Sequence, residues 1–143
     1  MEAEGDAKMG DDAIKVLMID DNPAAISLMQ YLLEDAKDVA VSLEHASRLE
    51  SGIERLMKGG IDVVLLDILL PDSRGFRSFT DLHAAVPDVP VVILSGIDDE
   101  ALALKMVSDG AQDYLVKGEV TTNLLVRTIR CAIERTRGEA PEC

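Results

Sequence analysis

Five short runs of Val, Ile and Leu recur along the sequence, at residues 16–19, 39–43, 63–66, 89–94 and 114–116, with longer amphipathic stretches between them. Runs this short, apolar at consecutive positions, suit strands buried on both faces of a parallel sheet. The run at 39–43 is the weakest and fits a place nearer an edge, and Pro90 interrupts the fourth. The intervening stretches read as helices. Asp21-Asn22 ahead of Pro23 is cap chemistry with proline in the first turn, followed by the stripe Ile26, Met29, Tyr31, Leu32 and Leu33. Ser47 precedes a second pattern, Leu49, Ile53, Leu56 and Met57, which stops at Gly59-Gly60. Phe76, Phe79, Leu82, Ala85 and Val86 make a third, ended by Pro87. Asp98-Asp99-Glu100 opens a fourth with acids suited to the helix dipole, and it runs through Leu102, Leu104, Met106 and Val107. The fifth begins near Thr121-Thr122 and carries Leu124, Leu125, Ile129 and Ile133. Strand followed by helix, five times over, predicts an α/β fold with right-handed crossovers and a parallel sheet covered on both sides.

A chain of 143 residues has room for one domain of ordinary size. The expected division is a flexible acidic leader over residues 1–12, one folded body over 13–137 and a disordered tail over 138–143. Asp plus Glu number 27 against 14 Lys plus Arg, a formal net charge of -13. That charge argues against direct contact with nucleic acid or an anionic membrane, both densely negative. No run of 18 apolar residues is present, and the N-terminus lacks the basic start and apolar stretch of a signal peptide. The two cysteines, Cys131 and Cys143, make no disulfide framework, so a reducing cytoplasm is the expected location.

In a sheet of this kind ligands bind beyond the carboxyl ends of the strands. The first strand ends in Asp20-Asp21, the third in Asp67, the fourth in Ser95 and the fifth in Lys117. One acid at such a place is commonly a helix cap or a solvated loop residue, and Asp21 could be a cap for the helix at Pro23. The convergence of three carboxylates, a hydroxyl and an amine changes the reading. Carboxylates about 5 Å apart repel by roughly 3 kcal/mol per pair at an effective dielectric near ~20. Protonation or a hard divalent cation such as Mg²⁺ offsets that repulsion. Lys117 adds a compact positive charge suited to a phosphoryl group, and Ser95 adds a donor. The set describes a site that handles phosphate, with a carboxylate as nucleophile. Asp67 stands alone at the end of the most hydrophobic strand and is the better nucleophile; the pair Asp20 and Asp21 suits metal binding.

At these residues the sequence resembles the receiver domain of two-component response regulators. The matching blocks are residues 16–22, 62–75, 91–96 and 110–117, in order and at the expected separations, within a resemblance covering roughly 14–135. The resemblance implies a flavodoxin-like doubly wound sheet of five parallel strands, order 2-1-3-4-5, with five helices. It implies Asp67 as phosphoacceptor, fed by a sensor histidine kinase or a small phosphodonor. It implies Mg²⁺ held by Asp20, Asp21, Asp67 and the backbone carbonyl of Leu69. Ser95 and Lys117 would bond the phosphoryl oxygens, and Tyr114 would be the switch aromatic that turns inward when Ser95 is recruited. Output would pass to a protein target through the fourth helix, fifth strand and fifth helix, with Leu102, Met106, Tyr114, Thr128 and Cys131 as candidates. The plainer reading of Leu102 and Met106 is packing, and of Cys131 a small helix hydrophobe. A homodimer would use the same face.

Two departures from the family pattern stand out. Gly118 follows Lys117 where the family usually has proline, so that loop is expected to be more mobile. Leu69 and Ile97, two residues after Asp67 and Ser95, are apolar and offer no group to orient water, which points to slow loss of the phosphoryl group. The protein is thus expected to be a signalling module that promotes its own phosphorylation and dephosphorylation, either free-standing or part of a larger regulator or hybrid kinase. The alternative is a Mg²⁺-dependent phosphatase-like enzyme with an aspartyl-phosphate intermediate. Such enzymes usually carry a second acid two residues after the nucleophile; here the first-strand acids are adjacent, and Leu69 is the residue two after Asp67.

Overall fold

The five apolar runs become the strands of one parallel sheet. The computed structural model describes residues 13–37 and 39–138, so the expected leader and all of the tail but Gly138 lie outside the described residues. In chain order the elements are β1 (Ile14–Ile19), α1 (Pro23–Glu34), β2 (Val41–Ala46), α2 (Leu49–Met57), β3 (Val63–Leu66), β4 (Leu69–Leu70), β5 (Ser73–Arg74), α3 (Phe76–Ala85), β6 (Val91–Ser95), α4 (Glu100–Ser108), β7 (Asp113–Val116) and α5 (Thr122–Thr136). The sheet order is β2-β1-β3-β6-β7, with every neighbouring pair parallel. Counting its five strands alone, that is the doubly wound order 2-1-3-4-5.

Alternation along each strand sends side chains to two cores. Val16, Met18, Val63, Leu65, Val92, Leu94 and Leu115 face a cluster with α1 and α5. Leu17, Ile19, Val64, Leu66, Val91 and Ile93 face the other, with α2, α3 and α4. The central β3 is buried along its whole length, which places the end of that strand in the middle of the molecule.

Several local expectations shift. The second strand begins at Val41 rather than residue 39 and runs to Ala46, because its pairing with β1 sets its extent. The helix caps at Asn22, Asp99 and Thr121 form, each side chain accepting an amide of its first turn. Ser47 does not cap α2: the helix starts one residue later, and Arg48 at the cap position makes no side-chain cap bond. The short antiparallel hairpin β4–β5 is an addition that five-run periodicity does not contain; two-residue strands carry no period to read. Of the expected output-face residues, Met106 and Thr128 are buried, Met106 within the cluster that includes Phe79 and Leu82. Leu104 and Val107 are the large apolar residues exposed on α4.

Candidate metal and phosphoacceptor site

The carboxyl edge of the sheet gathers the predicted residues because each follows, or ends, a strand of the same parallel set. Asp20 extends β1, its amide donating to the Ala46 carbonyl at 2.9 Å, and it is fully buried. Its Oδ1 accepts the Asn22 amide at 2.9 Å. Asp67 extends β3, its amide donating to the Ile19 carbonyl at 2.9 Å, and its Oδ1 accepts the Leu69 amide at 3.0 Å. Asp21 is exposed at the rim. One carboxylate oxygen from each of Asp20, Asp21 and Asp67 lies within 4.8 Å of the others.

Lys117 reaches into this cluster from the end of β7. Its Nζ lies 2.6 Å from Asp20 Oδ2 and 3.3 Å from Asp67 Oδ2. The contact with the buried Asp20 Oδ2 is a close ion pair, and among the described residues that oxygen has no partner besides Lys117. Burial raises the Asp67 carboxyl above the ordinary carboxylate value, and the Asp20 charge pushes the same way; the Leu69 amide and Lys117 offset only part of this. Burial works against the Lys117 ammonium, but Asp20 and Asp67 outweigh it and hold its pKa above the ordinary lysine value. Three carboxylates against one ammonium leave the cluster negative. A buried carboxylate oxygen whose partner is a single ammonium, within a set of three carboxylates, fits a hard divalent cation of the Mg²⁺ type. Asp20, Asp21 and Asp67 are the described acids that could hold it.

Ser95 ends β6 and is fully buried. Its Oγ accepts the Ile97 amide at 3.1 Å, while the Tyr114 hydroxyl donates to the Ile97 carbonyl at 2.8 Å. The two predicted switch residues therefore meet on one residue, Ile97, a junction that spacing along the chain does not reveal. Leu69 and Ile97 stand exposed beside the site, at 41% and 38% accessibility. Lys117 opens a short 3-10 turn, residues 117–119, and the bond to Gly118 is trans.

One contributor to this region escaped sequence reasoning. The hairpin that follows Asp67 carries Asp72 at its turn. Both Asp72 oxygens accept amides at the start of α2, Leu49 at 2.9 Å and Glu50 at 3.0 Å. Desolvation pushes the Asp72 carboxyl up, but these backbone hydrogen bonds outweigh it and hold its pKa below the ordinary value. The only sequence signal was negative: Arg48 is a poor cap.

A doubly wound parallel sheet with an acid cluster and a lysine at its carboxyl edge defines a receiver-type signalling domain. The family model described as "Response regulator receiver domain" matches residues 16–130. The two-component response regulator ARR2 of Arabidopsis thaliana is 31% identical over 106 residues, 73% of this chain and 15% of that protein. The uncharacterized transcriptional regulatory protein YxjL of Bacillus subtilis is 31% identical over 132 residues, 92% of this chain and 58% of that protein. A response regulator receiver domain protein from Clostridium thermocellum, known by its crystal structure, superposes with a TM-score of 0.74 at 29% identity, covering 87% of this chain and 97% of that one. The chain belongs to the response regulator receiver domain family of two-component signal transduction. It spans less than two thirds of the length of either curated relative. Among the described residues no helix is long and apolar enough to cross a membrane.

Proposed function

We propose that residues 13–137 act as a phosphorylation-controlled receiver with Asp67 as the phosphoacceptor. An Asp67 carboxylate oxygen attacks the phosphorus of a phosphohistidine on a sensor histidine kinase, or of a small acyl phosphate. The bond from phosphorus to the donor's leaving atom breaks, its electron pair stays on the donor, and Asp67 becomes an acyl phosphate. A Mg²⁺ ion held by Asp20, Asp21, Asp67 and the Leu69 carbonyl would supply charge neutralisation for the incoming phosphoryl oxygens. The observation that carries this reading is Lys117 Nζ 3.3 Å from the Asp67 carboxylate, beside three acids whose oxygens lie within 4.8 Å of one another.

The switch follows from the Ile97 junction. A phosphoryl oxygen on Asp67 is a stronger acceptor than any group Ser95 now meets. If the Ser95 hydroxyl turns to it, the Ile97 amide loses its acceptor, and the loop that Tyr114 holds is free to move. Phosphorylation would thus shift the population of the α4–β7–α5 face, with Leu104 and Val107 exposed on α4 for a downstream protein target or a second copy of the chain. Neither nucleic acid nor a membrane is a direct partner in this reading, and the location is cytoplasmic. Slow loss of the phosphoryl group follows from the apolar Leu69 and Ile97.

Intact-mass spectrometry with Mg²⁺ and acetyl phosphate tests the assignment. One phosphoryl adduct is expected on wild type and none on Asp67→Asn. After donor removal the adduct should decay more slowly than in fast chemotaxis-type regulators. An adduct that survives Asp67→Asn would identify a different nucleophile.

A further inference from the structure

Asp72 has no part in the chemistry just described, yet it joins the hairpin that follows Asp67 to the start of α2. The hairpin β4–β5 begins two residues after Asp67, and Leu69, in its first strand, pairs with Arg74. Ile68 and Leu70 root one side of it in the core. Pro71 and Asp72 at the turn are exposed, with no apolar anchorage of their own. The tip is tied instead by charge-assisted hydrogen bonds from Leu49 and Glu50 to the two Asp72 oxygens, across 23 and 22 residues of sequence. The negative carboxylate also meets the positive end of the α2 dipole. Arg48 gives α2 no side-chain cap, so the first amides of that helix rely on Asp72, while the hairpin has a second tie where the Ser78 hydroxyl donates to Ser73 Oγ at 3.0 Å.

We propose that Asp72 is a positioning residue: by capping α2 from outside that helix, it fixes the hairpin that carries Leu69 and so preorganises the divalent-cation site. This rests on the reading of Asp67 as the metal-assisted phosphoacceptor. Freed of Asp72, the hairpin tip swings about Ile68, and the Leu69 backbone, whose amide donates to Asp67 Oδ1, loses its fixed course after Asp67. Asp72 touches neither the acid cluster nor a substrate, so its effect on the site runs through the backbone.

The test uses the full chain as wild type, Asp72→Ala, Asp72→Asn and the double variant Asp72→Ala with Arg48→Ser. Mg²⁺ affinity is read by calorimetry, hairpin order by hydrogen–deuterium exchange over residues 69–74 in EDTA, and stability by melting temperature. Asp72→Ala should weaken Mg²⁺ about tenfold, the usual size of an outer-layer effect on a metal site, and should speed exchange over 69–74. Asp72→Asn removes the same charge but keeps an acceptor, so it should recover part of both. The double variant gives α2 its own cap. It should regain melting temperature while Mg²⁺ stays weak and the hairpin stays fast-exchanging. Recovery of Mg²⁺ affinity in the double variant would reduce Asp72 to a helix cap and overturn the proposal. Equal weakening in Ala and Asn would reduce the effect to bulk charge and overturn it too. If Asp72→Ala fails to fold, Asp72→Asn and the double variant, which both retain a cap, decide between these outcomes. Wild type that binds no Mg²⁺ and takes no phosphoryl group would instead bring down the Asp67 reading, and this one with it. Wild type that does both, beside an Asp72→Ala variant of equal affinity and exchange, would bring down this inference alone.

Discussion

Burial places Asp67 under a cost that its neighbours only partly relieve. Its carboxyl pKa is raised above the ordinary 3.8, so the folded protein holds that proton more tightly than the unfolded chain does. In the window from 3.8 up to the raised folded value, stability falls as pH rises, and above that value the full cost of the ionised form persists. Asp67→Asn removes the charge while keeping the shape. In EDTA at pH 7 the variant should melt higher than wild type by about 3 °C, the shift that about 1 kcal/mol produces in a domain of this size. The gap should close as the pH approaches 3.8, and a lower melting point for the variant would show that Lys117 more than compensates the burial. The roles of Asp20, Asp67, Ser95 and Lys117 were suggested by the sequence because each is the first polar residue after an apolar run. That signal is local. Asp72 was not legible, since nothing within its own hairpin announces that its acceptors serve a helix 22 residues upstream.

At the scale of elements, helix and sheet approach closely at Gly52 of α2. A Cβ built there would overlap Ile19 Cδ1 and Cγ1 on β1, and Ile19 is fully buried. Alanine would gain about 1 kcal/mol of helix propensity in isolation, but overpacking a tight contact costs about 1–3 kcal/mol. Gly52→Ala should therefore destabilise the protein by about 1 kcal/mol in urea unfolding. Ile19→Val, which removes the crowded Cδ1, should make the double variant more stable than the sum of the single effects. Strict additivity would mean that α2 shifts bodily to admit the methyl group. This glycine reads in the sequence as a simple interruption of a helical pattern; only the packed pair explains it. The hairpin β4–β5 was equally hidden, being too short to show a period, while the helix caps at Asn22, Asp99 and Thr121 were visible because cap chemistry is confined to a few adjacent residues.

Over the whole molecule, 27 acids against 14 bases leave a formal charge of -13, and compaction brings that charge together. Salt should screen the repulsion: raising NaCl from about 0.01 M to about 0.3 M shortens the Debye length severalfold. The melting temperature in EDTA should then rise by a few degrees, which calorimetry can read. A fall would mean that ion pairs such as Arg55 with Glu44, at 2.7 Å, outweigh the net repulsion. The sequence by itself determined the alternation of strand and helix, the buried parallel sheet and the convergence of acids, hydroxyl and amine on one edge. Each of these follows from periodicity or from position at a strand end, properties carried by neighbouring residues. The tertiary structure decided what depends on distant partners: that Met106 and Thr128 turn inward while Leu104 and Val107 face out, that Ser95 and Tyr114 meet on Ile97, and that Asp72 caps α2. The reason is physical. An amphipathic pattern says that a face will be buried, but which side chains are covered and which polar groups are paired is settled only when the layers pack.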